Sequence, residues 1–135
     1  LGLDIHRPVT VEGIADAFKA MAAKHVDAVV VGADPFFNNN RPRVISLASE
    51  FSIPAIYQWR EFVAAGGLMS YGPSITEAYQ HAGRVAGQIL KGAKPADIPV
   101  VQPVTFVLAI NRRTAGKLGL NVPQSLLLLA NEVIE

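Results

Sequence analysis

Ala28-Val29-Val30-Val31-Gly32-Ala33-Asp34-Pro35-Phe36-Phe37-Asn38-Asn39-Asn40 decides the fold. Its first part is a continuous apolar, β-branched run with no polar alternation. A strand apolar on both faces is what a parallel sheet covered by helices requires. From Gly32 to Asn40 the Gly, Pro and Asn content predicts a loop. The same alternation of short apolar runs and amphipathic stretches continues in both directions. Upstream, Leu3–His6 reads as a strand, Arg7-Pro8 as a breaker, and Thr10 as the cap of a helix with Ile14, Ala17, Phe18, Met21 and Ala22 at helical spacing. Downstream, Asn40 is placed to cap a helix that tolerates Pro42 in its first turn and shows Val44, Ile45, Ala48 and Phe51 on one face.

Pro54–Tyr57 is the next strand, Arg60–Ala65 a short helix ended by Gly66-Gly67, and Leu68–Tyr71 a further strand. The clearest helix runs from Ile75 to Lys91. Ser74 and Glu77 form a capping box before it, and Gly92 and Pro95 stop it. Lys94–Pro103 is an extended connector, Val104–Ile110 the last strand, Arg112–Leu118 a short helix and Gln124–Val133 a terminal one. Strands alternating with helices in this way predict an α/β fold, a doubly wound, mainly parallel sheet in a single domain spanning residues 1–135.

Composition narrows the function classes. Among 135 residues, 12 Lys+Arg stand against 11 Asp+Glu, and the net charge of +1 argues against a protein built to neutralise phosphates. No nucleic-acid partner is expected. The 50% hydrophobic content excludes disorder, and the absence of cysteine excludes disulfide scaffolds, thiol nucleophiles and cysteine-based metal sites. No apolar run approaches the roughly 20 residues of a membrane-spanning helix. The chain opens at Leu1, beside a strand and without a charged-then-apolar leader, which reads as a piece of something longer.

Enzyme motifs find no foothold. Gly87–Lys94 comes near a phosphate-loop spacing, but Ala93 stands where lysine is required and the glycines close a helix instead of opening one. Leu68–Gly72 resembles a nucleophile elbow with leucine in place of its first glycine. His6, His25 and His81 have no metal-ligand spacing. Neither a catalytic constellation, a metal site nor a cofactor is expected.

What remains is a binding surface. In open α/β sheets ligands bind beyond the carboxyl ends of the strands. Here those ends carry Asp34, Pro35, Phe36 and Phe37, then Tyr57, Trp59 and Arg60, then Tyr71. Rings supply flat apolar area, Asp34 suits an ammonium, and Arg60 suits a carboxylate held by two hydrogen bonds. The plainer alternatives are that Phe36 and Phe37 plug the end of the core, that Arg60 is a surface charge, and that Asp34 only shapes the loop before Pro35.

The stretches Asp34–Phe37, Ile53–Tyr57, Arg60–Val63, Gly66–Pro73, Ile89–Val100, Ile110-Asn111 with Thr114-Ala115, and Pro123 with Ser125-Leu126-Leu127 together resemble the ABC-transporter substrate-binding proteins, in the group that includes tryptophan- and tyrosine-type binders. Leu128-Leu129 departs from the polar residues usual after that last motif, on a helix remote from any site residue. The resemblance implies the C-terminal lobe of a type I periplasmic binding protein: two lobes joined by a hinge, near residues 71–74 and 98–103 here, with a solute between them. It further implies a small organic solute such as an amino acid, a membrane permease as partner, and a periplasmic or membrane-anchored extracytoplasmic location. Asp34, Pro35, Phe36, Phe37, Tyr57, Trp59, Arg60 and Tyr71 would line this lobe's half of the cleft. A ligand-sensing domain of a transcription regulator or signalling receptor shares the fold and is the alternative. In such a two-lobed chain the Ile75–Lys91 helix packs on the other lobe; without it, the apolar stripe is expected to fold back on its own lobe or to pair with a second copy.

Overall fold

The structure is a computed structural model that describes residues 2–102 and 105–135. One sheet holds five strands side by side in chain order: β1 Val29–Val30, β2 Ala55–Tyr57, β3 Met69–Pro73, β4 Phe106–Asn111 and β5 Glu132–Ile134. The pairs β1–β2, β2–β3 and β4–β5 are parallel, and β3–β4 is antiparallel. The helices are α1 Val11–Ala23, α2 Pro35–Asn39, α3 Arg41–Glu50, α4 Arg60–Ala64, α5 Ile75–Leu90, α6 Arg112–Lys117 and α7 Gln124–Leu129. The fold class is the one expected from the alternating pattern.

The register aligns Tyr57, Ser70, Ala109 and Glu132 in one row across four strands. Because side chains alternate along a strand, Ala55 shares their face. Ile14, Phe18 and Met21 of α1, Val44, Leu47 and Ala48 of α3, and Phe62 of α4 form a buried cluster with Val31, Ile53, Ala55 and Tyr57. At its centre the Tyr57 and Phe62 rings stack, centroids 4.6 Å apart and 14° from parallel. Gly67 permits this: a Cβ there would lie 2.6 Å from the Tyr57 ring and 2.8 Å from the Phe62 carbonyl oxygen.

Several expectations need correction. Val30 is 78% exposed, so the β-branched run is covered on one face only; β1 is the edge of the sheet and has β2 as its single neighbour. Leu3–His6 forms no strand, since an extended segment becomes one only through a ladder, and Leu3 and Ile5 lie exposed. The terminal helix stops at Leu129. The Asn131 N–H donates to the Leu108 carbonyl and Asn131 Oδ1 accepts from the Leu108 N–H, which sets up β5 against β4. Val104, the first residue of the expected last strand, lies outside the described residues, as does Pro103 of the connector; the strand itself begins at Phe106.

Helix α5 begins where expected, with Ser74 Oγ accepting from the Glu77 N–H, but it does not fold back on its lobe. None of its residues is buried, and Tyr79 and Leu90 are 76% and 88% exposed. Its neighbour is the connector, where Pro95, Ile98, Pro99, Val100 and Val101 frame a shallow hollow of about 300 Å³ with His81, Val85 and Ile89.

Truncating Phe62 to alanine should therefore cost about 3–5 kcal/mol in urea unfolding. Gly67→Ala should lower the melting temperature by several degrees, whereas Gly83→Ala, with nothing within 4 Å of the added carbon, should leave it unchanged or raise it.

Candidate functional site

The rim at the carboxyl ends of β1, β2 and β3 is built by the segments that leave them. After β1 the predicted loop contains a helical turn, α2. Asp34 caps it, its Oδ1 accepting from the Phe36 N–H at 2.7 Å, and Pro35 takes the first turn, where a missing N–H costs nothing. Phe36 and Phe37 are half-buried against the core, with ring centroids 5.6 Å apart and planes at 55°. Asn40 stands at the start of α3 but does not cap it; its Nδ2 donates instead to the Phe36 carbonyl at 2.8 Å. After β2, Trp59 precedes α4 and is half-buried against the same cluster.

Three of the expected ligand residues stand elsewhere or are already engaged. Tyr57 is 2% exposed and belongs to the core, where burial pushes its hydroxyl well above the ordinary value of 10.0. Arg60 is bound in two-pronged fashion by Glu132, with Nε and Nη2 donating at 2.8 and 2.7 Å. The glutamate comes from β5, which the expectation of a terminal helix hid. Tyr71 lies on the opposite face of the sheet from Tyr57, because it follows Ser70 by one residue. There it is 57% exposed and stacks on Phe106, itself 46% exposed, at 5.5 Å between centroids. The eight residues do not share one hollow: Phe36, Phe37 and Trp59 pack against the core cluster that contains Tyr57, while Tyr71 stacks with Phe106 on the other face of the sheet.

Phe106 was missed because a fourth strand taken as parallel would start at the far end of the sheet; the antiparallel register pairs it with Pro73. Tyr57 does line a cavity of about 570 Å³, among Ser46, Ser49, Glu50, Ser52, Gly67 and Lys117, but this opens at the amino ends of β2 and β3. Four buried polar atoms have no partner among the described residues: Asn38 Oδ1, Gln58 Oε1, Glu61 Oε2 and Ser70 Oγ. The first three sit on the segments leaving β1 and β2.

Comparisons with known proteins agree with this architecture. The family model described as ABC transporter substrate binding protein matches residues 7–134. The chain belongs to that family. Among solved structures it is similar to an ABC domain from Streptococcus pneumoniae in complex with L-Trp, at 32% identity and a TM-score of 0.89, over 99% of this chain and 46% of that one. It also resembles, at 21% identity and a TM-score of 0.82, a conserved domain protein from Vibrio cholerae, over 93% of this chain and 42% of the other. A third likeness, at 22% identity and a TM-score of 0.62, is to the ligand-free, open structure of a substrate-binding protein with adhesive properties from Clostridium difficile, over 95% and 42%. The chain thus spans less than half the length of these structures. No curated protein matches it. Family and fold are those of a binding protein.

The Arg60–Glu132 pair has a pH signature. The hydrogen bond from Arg60 holds the Glu132 carboxyl below its ordinary 4.5, so its contribution is present above that value and is lost as pH falls through the lower, folded one. For a pair this exposed the contribution is at most about 1 kcal/mol. Urea melts of wild type and Arg60→Gln should differ by that amount near neutrality and converge in acid below the ordinary glutamate range. Glu132→Gln should abolish the difference at every pH.

Proposed function

We propose that this chain is one lobe of a two-lobed solute receptor, which captures a small organic molecule such as an amino acid and presents it to an ABC permease outside the cytoplasmic membrane. The observation that carries the reading is the Tyr71–Phe106 stack, two large rings left in water where β3 and β4 run out beyond the row of Tyr57. Exposed stacked aromatics at the rim of a mainly parallel sheet suit a partner that covers them, either a solute or a facing lobe. The family membership and the extra length of the similar structures support the same reading. So does α5, whose uncovered stripe suits packing on a second lobe, with backbone crossings near residues 71–74 and 98–102.

Such a receptor performs no chemistry. The solute binds the closed arrangement of the lobes better than the open one and shifts the population toward it. Phe36, Phe37 and Trp59 supply apolar contact from this lobe, and Asp34, whose Oδ2 is not used by the cap, supplies an acceptor.

Calorimetric titration of the full gene product with the L-amino acids checks this. A subset should bind, with Trp59→Ala weakening the best of them by about tenfold or more, in line with the loss of a well-packed ring. The 135-residue chain alone should bind at least about 100-fold more weakly, as half the contacts are gone. Amides of α5 should exchange quickly in the chain alone and slowly in the full product. Unaltered affinity in Trp59→Ala, or equal protection of α5 in both, would count against the reading.

A further inference from the structure

A cavity of about 570 Å³ lies at the opposite end of the sheet from the rim, where β2 and β3 begin, walled by α3 on one side and α6 on the other. Its volume is in the range of small-molecule sites. Thr114 of α6 donates its hydroxyl to the Gly66 carbonyl at 2.9 Å, which fixes the second wall in place. Character changes from floor to mouth. Ala48, Ile53, Ala55 and Leu68 are buried and apolar. Ser46, Ser49, Glu50, Ser52 and Lys117 are exposed and polar.

One polar group interrupts the floor. Tyr57 is 2% exposed, and its ring atom nearest to residue 67 is Cε2, beside the hydroxyl-bearing carbon. Gly66 and Gly67 both line the cavity, so the polar end of the ring is the end directed toward it. The phenol hydroxyl has no hydrogen-bond partner among the described residues. Unlike Ser70 Oγ on the same face, it is not sealed away from the surface. Burial alone raises its pKa, so it stays a neutral O–H donor. A desolvated donor without an acceptor is costly, and an oxygen from a ligand relieves it.

The surroundings also select the charge of that ligand. A floor dry enough to keep the phenol protonated penalises an ionised oxygen set against it. At the mouth Glu50 and Lys117 carry opposite charges, so no net field draws in an ion of either sign. We propose that this cavity is a second ligand site, which takes a small neutral molecule with an apolar body and one carbonyl oxygen, the oxygen accepting from the Tyr57 hydroxyl. The site lies away from the rim and stands whether or not the solute-receptor reading holds.

The test titrates the full gene product with acetophenone and with isopropylbenzene, which has the same outline but a methyl group in place of the carbonyl oxygen. Ligand-observed magnetic resonance should give acetophenone the tighter binding by about five- to tenfold, the usual size for one neutral hydrogen bond. Tyr57→Phe keeps the ring on Phe62 and should bring acetophenone down to the affinity of isopropylbenzene, itself changed by no more than about twofold. Because isopropylbenzene reports the shape of the cavity in the same variant, a loss from misfolding would weaken both probes alike and would not support the assignment. Ser49→Trp, a bulky group at the exposed mouth, should weaken both probes by about tenfold or more without lowering the melting temperature. Equal affinity of the two probes in wild type, a preference that survives Tyr57→Phe, tighter binding of benzoate than of acetophenone, or no binding of either probe would each overturn the proposal.

Discussion

The stack of Tyr57 on Phe62 is the contact on which the arrangement of the rim depends. It ties α4 to β2, closes the core beneath both, and is possible because residue 67 has no side chain. With Phe62 pinned there, the backbone between Tyr57 and Phe62 has only four residues in which to turn from strand to helix. Trp59 is held against the core at that turn, and Arg60 emerges on the side of β5, where Glu132 meets it. The same pinned ring is the platform on which Arg41 rests.

The reversal of chain direction at β4 is the second determinant. A sheet parallel throughout would send the end of β3 and the start of β4 to opposite edges. The antiparallel pairing Pro73↔Phe106 brings them together and leaves Tyr71 and Phe106 stacked on the face away from the core. The rim is thus two-sided. Phe36, Phe37 and Trp59 stand toward the helix-covered face, and the exposed stack stands on the other.

Much of this was legible in the residues. Alternation of apolar runs with amphipathic segments fixes the α/β class, and local chemistry fixes the helix starts: Thr10 accepts from the Gly13 N–H, Ser74 from Glu77, as their positions before apolar-periodic stretches suggest. What the pattern cannot carry is pairing. Leu3–His6 has strand composition but no ladder neighbour, and Glu132–Ile134 follows a leucine-rich helix yet finds the free edge of β4. Residue chemistry alone likewise cannot separate a rim tyrosine from a core tyrosine; Tyr57 and Tyr71 each end a strand expected from the sequence, and a difference in sheet face decides between them. Arg60 looked available because its partner is 72 positions away.

Gly72 has a mechanical consequence. Because this glycine is seated against the Gln58 carbonyl, β3 is clamped to the exit of β2 up to that residue, and Pro73, with its backbone rotation fixed by its own ring, stiffens the next step. The first backbone bond past the clamp that no ring fixes is therefore the Cα–C bond of Pro73. In the two-lobed reading proposed above, a swivel of what lies beyond would turn past this grip, with the aromatic pair at Tyr71 and Phe106 on the clamped side.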